Sequence, residues 1–312
     1  MNVVLLGASG FVGHHLVPRL ARDGHRCTVL TRHAPGCRDL AVNPGTRVVQ
    51  ADVYDRKALE RQLAGADAAI NLVGILNERG RSGDGFERAH VELLRGLLEA
   101  CDRVGVRRVL QMSALNAGEG KSHYLRTKGE AEDLLKSAEG VRWTIFQPSV
   151  IFGPGDSFFN RFATLLRFSP VLPLACPNAK MQPVYVRDVV EAFARSLGDP
   201  ATQGRTYPLV GPDQWRFIEL VRWTAGVLGL RRWVVGLPDP VSRLQATVMD
   251  FVPGKPFSTD NYRSLQVDNV SGRNGLDAFG IQPHSVEGAV PAYLPGSLRQ
   301  RRLQRYRKSA RR

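Results

Sequence analysis

Three observations predict an α/β fold, a doubly wound parallel sheet with a smaller, partly interleaved carboxyl-terminal lobe. Short apolar runs alternate with helical patterns through the first half of the chain. Glycines stand three residues apart where the first run should turn into a helix. The alternation then breaks down after Gln147. Alternation of this kind places helices on both faces of a parallel sheet. Such sheets bind ligands beyond the carboxyl ends of their strands, so function is to be sought just after each strand.

The first strand is predicted at Asn2–Leu6, whose apolar residues suit a strand buried on both faces. Gly7, Gly10 and Gly13 follow it. Glycines so placed serve a tight turn, close approach of a pyrophosphate to the backbone, and close packing of helix on strand. A helix from Phe11 to Asp23 would add first-turn amides and the positive end of its dipole. Pro18 lies inside that helix and should kink it. The next strand, Arg26–Leu30, completes a βαβ unit, and the cofactor loop is read at Gly7, Gly10 and Gly13.

Further strands are expected at Arg47–Gln50, Ala68–Leu72, Arg108–Met112 and Trp143–Gln147, with helices at Arg56–Leu63, Phe86–Val104 and Tyr124–Ala138. The residues at the strand ends suggest roles. Arg32, where an acidic residue would favour the ribose 2′-hydroxyl of NAD, instead suits a 2′-phosphate, so NADP(H) is expected over NAD(H). Asp52 and Val53 would border adenine, although Asp52 could equally cap the following helix. Leu72, Val73 and Gly74 would pass under the adenosine ribose. After the fifth strand come Ser113 and then Tyr124 and Lys128, four apart and on one helix face. An ammonium beside the phenol favours ionisation and makes the tyrosine a usable general acid or base.

Beyond Gln147, prolines and glycines punctuate the chain, followed by a helix at Val186–Leu197, a strand near Tyr207–Val210 and a helix at Trp215–Leu228. Asp239-Pro240 reads as an N-cap with a first-turn proline. The stripe Val241, Leu244, Val248 and Phe251 behind it has helical spacing and is expected to face the core. The expected division is a nucleotide-binding domain over 1–147, a smaller lobe over 148–298 partly interleaved with the sheet, and a basic tail over 299–312.

Composition narrows the function class. The 312 residues are 43% hydrophobic and 23% charged, ordinary for a globular protein. No apolar run reaches the length of a membrane span, and the strand at the very start leaves no room for a leader peptide. A cytoplasmic protein is expected, at most peripheral to the inner face of a membrane. Cys27, Cys37, Cys101 and Cys176 have no metal-ligand spacing and read as reduced thiols. No metal is expected. The net charge of +14 includes eight basic and no acidic residues between Arg299 and Arg312. That tail is either a solvated terminus or an attraction to an anionic membrane or respiratory protein partner. No module for specific nucleic-acid recognition accompanies it.

Gly7-x-x-Gly10-x-x-Gly13, Asp52, Tyr124-x-x-x-Lys128, Pro148 to Asp156 and Pro183 to Val189 together resemble an extended short-chain dehydrogenase/reductase over about residues 1–295. Tyr124 to Glu132, Pro253 to Pro256, Leu265 to Val270 and the segment from Gly280 to Leu294 are similar to the atypical branch that contains the nucleotide-binding accessory subunit of respiratory complex I and its bacterial relatives. The resemblance implies that Gly7, Ser9, Gly10, Phe11 and Val12 hold the pyrophosphate and that Tyr124 and Lys128 stand at the nicotinamide ribose, with Pro148 and Val150 beside the ring. It also marks departures. Met112-Ser113-Ala114 leaves the family's strand-end hydroxyl either present at Ser113 or lost at Ala114. His90 replaces a frequent asparagine, and Gln147 a frequent arginine, which disfavours sugar-nucleotide epimerase or dehydratase chemistry. Two functions follow as expectations. One is a cofactor-stabilised accessory protein in or near quinone or respiratory metabolism. The other is an NADPH-dependent oxidoreductase of a hydrophobic carbonyl or quinone-like molecule, with catalytic residues Tyr124, Lys128 and Ser113 and a substrate loop from Asn77 to Arg88.

Overall fold

The computed structural model of the protein describes residues 1–294 and 296, apart from Arg79 and Gly254. The chain begins β1 (Asn2–Leu6), α1 (Phe11–Arg22), β2 (Arg26–Thr31), a short α2 (Arg38–Ala41), β3 (Thr46–Gln50), α3 (Arg56–Leu63) and β4 (Ala68–Asn71). It continues through α4 (Asp84–Glu87), α5 (Leu93–Val104), β5 (Arg108–Met112), α6 (His123–Lys136) and β6 (Arg142–Pro148). Then come β7 (Ile151–Phe152), α7 (Phe158–Phe168), β8 (Val171–Leu174), β9 (Lys180–Met181), β10 (Val184–Tyr185), α8 (Val186–Leu197) and β11 (Arg205–Leu209). The last elements are β12 (Trp215–Arg216), α9 (Phe217–Val227), β13 (Trp233–Gly236), α10 (Asp239–Met249), α11 (Thr259–Ser264) and α12 (Val286–Tyr293).

Two compact units result. The first comprises Met1–Pro148, Arg187–Leu209 and Asn274–Ile281; the second comprises Ser149–Val186, Val210–Arg273 and the chain from Gln282 onward. The segments 187–209 and 274–281 thus belong with the sheet. In the first unit seven parallel strands run in the order β3-β2-β1-β4-β5-β6-β11. Strand β1 is buried on both faces, as a central parallel strand must be. Helix α5 packs Leu94, Leu97 and Cys101 against Leu59 and Leu63 of α3. Each fully buried leucine contributes about 1.5–3 kcal/mol through apolar area removed from water.

Arg108 explains why the late segment joins this sheet. Its side chain is buried, and its guanidinium donates to the carbonyls of Ser196 and Leu197, at the end of α8, and to Thr144 and Thr202. Carbonyls at a helix carboxyl terminus lack partners within the helix and attract a cation. Burial lowers the Arg108 pKa to about 10, still charged at neutral pH.

Several local expectations are revised. Helix α1 ends at Arg22, one residue before the expected limit, with Pro18 inside it. The predicted helix Phe86–Val104 is three pieces: α4, a π-turn at Arg88–Glu92, and α5. Asp55, not Asp52, caps α3, accepting from the amides of Lys57 and Ala58. Asp52 closes a tight turn on the Tyr54 amide at 3.0 Å. Pro238 takes the N-cap position of α10, and Asp239 is its first residue.

The largest revision is the orientation of α10, in the second unit. Its buried residues are the small Ser242 and Ala246, while Val241, Leu244 and Val248 face outward, as does Phe251 beyond its end. The stripe is therefore surface and not core. A 3.6-residue repeat identifies a face without saying what covers it. The four cysteines are buried free thiols. The basic segment 299–312 lies outside the described residues.

Candidate functional site

The site lies at the carboxyl edge of the first unit's sheet. Parallel register aligns Leu6 with Leu30 on one side and with Asn71 on the other. Gly7, Arg32 and Leu72 consequently emerge from adjacent strands. Gly7 has φ +76°, and a Cβ there would stand 2.7 Å from the Val73 nitrogen. Only glycine lets β1 turn this close to the β4 loop. Asn71 fixes that loop by accepting from the Val73 amide at 3.1 Å and donating to Gln111 at 2.9 Å.

Gly10 donates to the Gly7 carbonyl at 3.0 Å and opens α1 with no side-chain cap. The amides of Phe11, Val12 and Gly13 therefore begin a helix whose first turn supplies no carbonyl to them. Ser9 and Gly10 are exposed. A Cβ on Gly13 would lie 2.1 Å from the Ala8 carbonyl oxygen, so α1 sits directly on the turn. These features fit a diphosphate: a narrow cradle, outward amides, and the positive end of a helix dipole. Arg32 is exposed at the end of β2 beside His33, and Asp52 is exposed at the end of β3 with Val53 half-buried.

The other half of the site is built on α6. Ser122 caps this helix by accepting from the Leu125 amide. Gly129 brings α6 against the preceding loop, since a Cβ there would meet the Gly118 Cα at 2.5 Å. Lys128 is buried, and its ammonium donates to the Met112 carbonyl at 3.1 Å, at the end of β5. It also comes close to Gly74, where a Cβ would be 3.3 Å from Nζ. Burial lowers the Lys128 pKa to about 8, with Glu132 opposing the shift. Tyr124 is held edge-on between Phe86 and His90, at ring separations of 6.2 and 5.6 Å. The expected ionisation of Tyr124 beside the lysine is reversed: burial of the phenol raises its pKa to about 12.

His90 reaches this position from the π-turn, a device that redirects side chains at functional sites. It is buried, with Nδ1 2.8 Å from the Thr127 hydroxyl and Nε2 3.4 Å from the Ile75 amide. Burial and the Lys128 ammonium lower its pKa to about 2. The imidazole is therefore neutral, accepting at Nε2 and donating at Nδ1.

Ser113 takes part differently. Its hydroxyl donates to buried Glu132 at 2.6 Å, and the same carboxylate receives Gln147 at 2.7 Å and Lys136 at 3.0 Å. Ala114, the next residue, is also buried. Pro148 ends β6 and accepts from the Leu115 amide, whereas Val150 belongs to the second unit and accepts from Val184.

Sequence reasoning missed the Glu132 carboxylate. Its position four residues after Lys128 was a usable signal, because that spacing keeps it on the same helix face. It also missed Glu78, which accepts from the amides of Gly83 and Gly85 and shapes the loop in front of Tyr124.

A glycine cradle at a helix start, facing a buried lysine and a tyrosine one helical turn apart, defines a pyridine-dinucleotide-binding protein. A family model described as NAD(P)H-binding matches residues 7–155. The chain is 32% identical to the ceramide reductase of Caulobacter vibrioides over 76% of its length and 74% of that protein. It is 30% identical to NADH dehydrogenase [ubiquinone] 1 alpha subcomplex subunit 9 of Mus musculus, over 91% of this chain and 77% of that one. The fold matches the UDP-glucose 4-epimerase of Thermus thermophilus, solved with NAD, with a TM-score of 0.75 at 20% identity, covering 95% of this chain and 98% of that one. The chain belongs to the short-chain dehydrogenase/reductase family, in the extended, atypical branch that resembles the complex I subunit and its bacterial relatives.

Proposed function

We propose that the protein binds NADP(H) in preference to NAD(H) and acts in or near quinone or respiratory metabolism as a cofactor-stabilised accessory protein. The observation that carries this reading is an intact nucleotide cradle combined with a strand-end hydroxyl, Ser113, that is bonded to buried Glu132. Ser113 then serves to hold α6, and with it Lys128, against β5. A nucleotide present at one hundred times its dissociation constant stabilises the folded state by about 2.7 kcal/mol. Arg32 would hold the 2′-phosphate, and Asp52 with Val53 would border adenine. Leu72, Val73 and Gly74 would lie under the adenosine ribose, and Pro148 and Val150 beside the nicotinamide. The alpha-subcomplex relatives favour respiratory partners. The segment 299–312 would lie against an anionic membrane or an acidic protein face, on the cytoplasmic side.

A second reading is an NADPH-dependent reductase of a hydrophobic carbonyl or quinone-like molecule. The assembled Tyr124–Lys128 pair and the likeness to a ceramide reductase favour it. The bound nucleotide would supply hydride. Tyr124, its phenol kept protonated by burial, would deliver a proton to the carbonyl oxygen, and Lys128 would hold the ribose. His90, neutral and facing the phenol edge-on, would keep that ring in place.

The test is to denature the purified protein and identify the released nucleotide. NADP(H) is expected. Replacing Arg32 with alanine removes a charge-assisted contact worth about 1.5–3 kcal/mol. NADPH affinity should fall roughly 10- to 150-fold with NADH affinity unchanged. Release of NAD(H), or equal losses for both nucleotides, refutes the preference. Turnover with carbonyl or quinone substrates that disappears in Tyr124→Phe selects the second reading.

A further inference from the structure

Ten of the thirteen large hydrophobic residues exposed among the described residues lie in the second unit, within segments 165–171, 233–235 and 241–252. Hydrogen bonds bring these segments side by side. Arg232 donates to the Leu166 carbonyl at 2.6 Å, bringing the start of β13 beside α7. Strands β8 and β13 pair in parallel, with Trp233 opposite Val171 and Val235 opposite Pro173. Partners in that register point to the same side. Here that side is outward, Trp233 being 76% exposed, while Leu172, Leu174 and Val234 point inward. Gln245 of α10 then reaches the Pro173 carbonyl at 3.5 Å.

The helix completes the face and is inverted relative to an ordinary surface helix. Its small residues are inside, Leu244 is 62% exposed, and Phe251 beyond its end is 74% exposed. On the far side, Phe168 at the end of α7 is 85% exposed. Exposed apolar residues gathered on neighbouring segments in this way mark an interaction site.

The charges around it select the occupant. Arg161 on α7, Arg231 just before β13 and Arg243 on α10 are exposed. The carboxylates there are engaged within the unit: Asp239 accepts from the Tyr262 hydroxyl, and Asp250 from the amide and hydroxyl of Thr259. A second copy docking the same face would bring arginines toward arginines, which disfavours self-association. Aromatic and aliphatic side chains within a cationic rim match the boundary between acyl chains and anionic headgroups. Among the described residues no helix is long and apolar enough to cross a membrane. We infer that the second unit docks on an anionic membrane surface through the outward faces of α10, β8 and β13. The inference is independent of which nucleotide the first unit holds.

The experiment is co-sedimentation of the full chain with vesicles of phosphatidylcholine alone or mixed with phosphatidylglycerol, at physiological salt. Binding to the mixed vesicles is expected, at least tenfold weaker for the pair Leu244→Glu and Phe251→Glu. Both positions are exposed, so the variant should fold, and unchanged melting behaviour and nucleotide content verify that it does. Arg161→Glu with Arg243→Glu should weaken binding with a reduced salt dependence. A chain ending at Leu298 should keep the loss caused by the glutamate pair. Three results overturn the proposal. One is no binding of the full chain to anionic vesicles. Another is full binding by the glutamate pair, which would place the attraction in the basic segment. The third is a dimer in solution that the glutamate pair converts to monomer.

Discussion

Replacement of Gly13 by alanine is expected to abolish nucleotide binding and to lower the unfolding free energy by about 3 kcal/mol. The added methyl would stand 2.1 Å from the Ala8 carbonyl oxygen and 2.2 Å from its Cα. Both are backbone atoms of the turn between β1 and α1, so no side-chain rotation relieves the overlap. Helix α1 must lift from the turn, and its first-turn amides lose their aim. Loss of two charge-assisted hydrogen bonds of about 1.5–3 kcal/mol each corresponds to an affinity decrease of roughly 100-fold or more. Calorimetric titration with NADPH and denaturant unfolding read the two effects separately. Gly96→Ala is the control. It lies in α5 with nothing within 4 Å of the added atom, and a helical glycine-to-alanine change should stabilise by about 1 kcal/mol. Normal affinity in Gly13→Ala would remove the cradle from the binding site.

The second large effect is acid sensitivity centred on His90. Its folded pKa of about 2, against 6.5 for an ordinary histidine, reflects burial first and the Lys128 ammonium second. Between those values the unfolded chain binds a proton that the folded chain does not. Stability from this group is therefore complete above about pH 6.5 and declines as pH falls toward 2. The slope approaches 1.4 kcal/mol per pH unit, giving a loss of about 2.7 kcal/mol at pH 4.5. Urea unfolding from pH 7.5 to 4.5 on wild type and His90→Asn measures it. The variant should show a shallower decline, even if it starts from a lower stability. Parallel curves would mean that the imidazole acquires its proton in the folded protein. Lys128 acts at the other end of the scale. Its folded pKa of about 8 lies below the usual 10.5, so its contribution to stability increases between those values as pH rises.

The sheet was legible because strands buried on both faces are written as unbroken apolar runs. Val3 to Leu6 and Ala68 to Ile70 are such runs, and the structure begins and ends them within a residue or so of the expected limits. The glycine cradle was legible for a related reason, since backbone crowding at Gly7 and Gly13 leaves no alternative residue. What escaped detection depends on distant partners. Arg108 reads as an ordinary basic residue opening a strand, and nothing local announces carbonyls nearly ninety positions away. Glu132 sits in a charged helix and is buried only because Ser113 and Gln147 converge on it. The π-turn at Arg88–Glu92 inserts an extra residue per turn without a marker residue. Helix α10 is the instructive failure. Its period was read correctly and its direction was not, because an apolar stripe looks alike whether a core or an outside surface receives it.

The clamp at Arg108 bears on how the polypeptide matures as it leaves the ribosome. Strand β11 is the neighbour that covers β6, and both β11 and the α8 carbonyls held by Arg108 lie beyond residue 186. A nascent chain released only through Pro148 therefore presents β6 as a naked edge, alongside a guanidinium deprived of its acceptors. Edges of that sort recruit foreign strands, and pairing across so long a separation is slow. Synthesis must pass Leu209 before the sheet is closed to such recruitment. Chaperone demand should accordingly concentrate in that interval of translation.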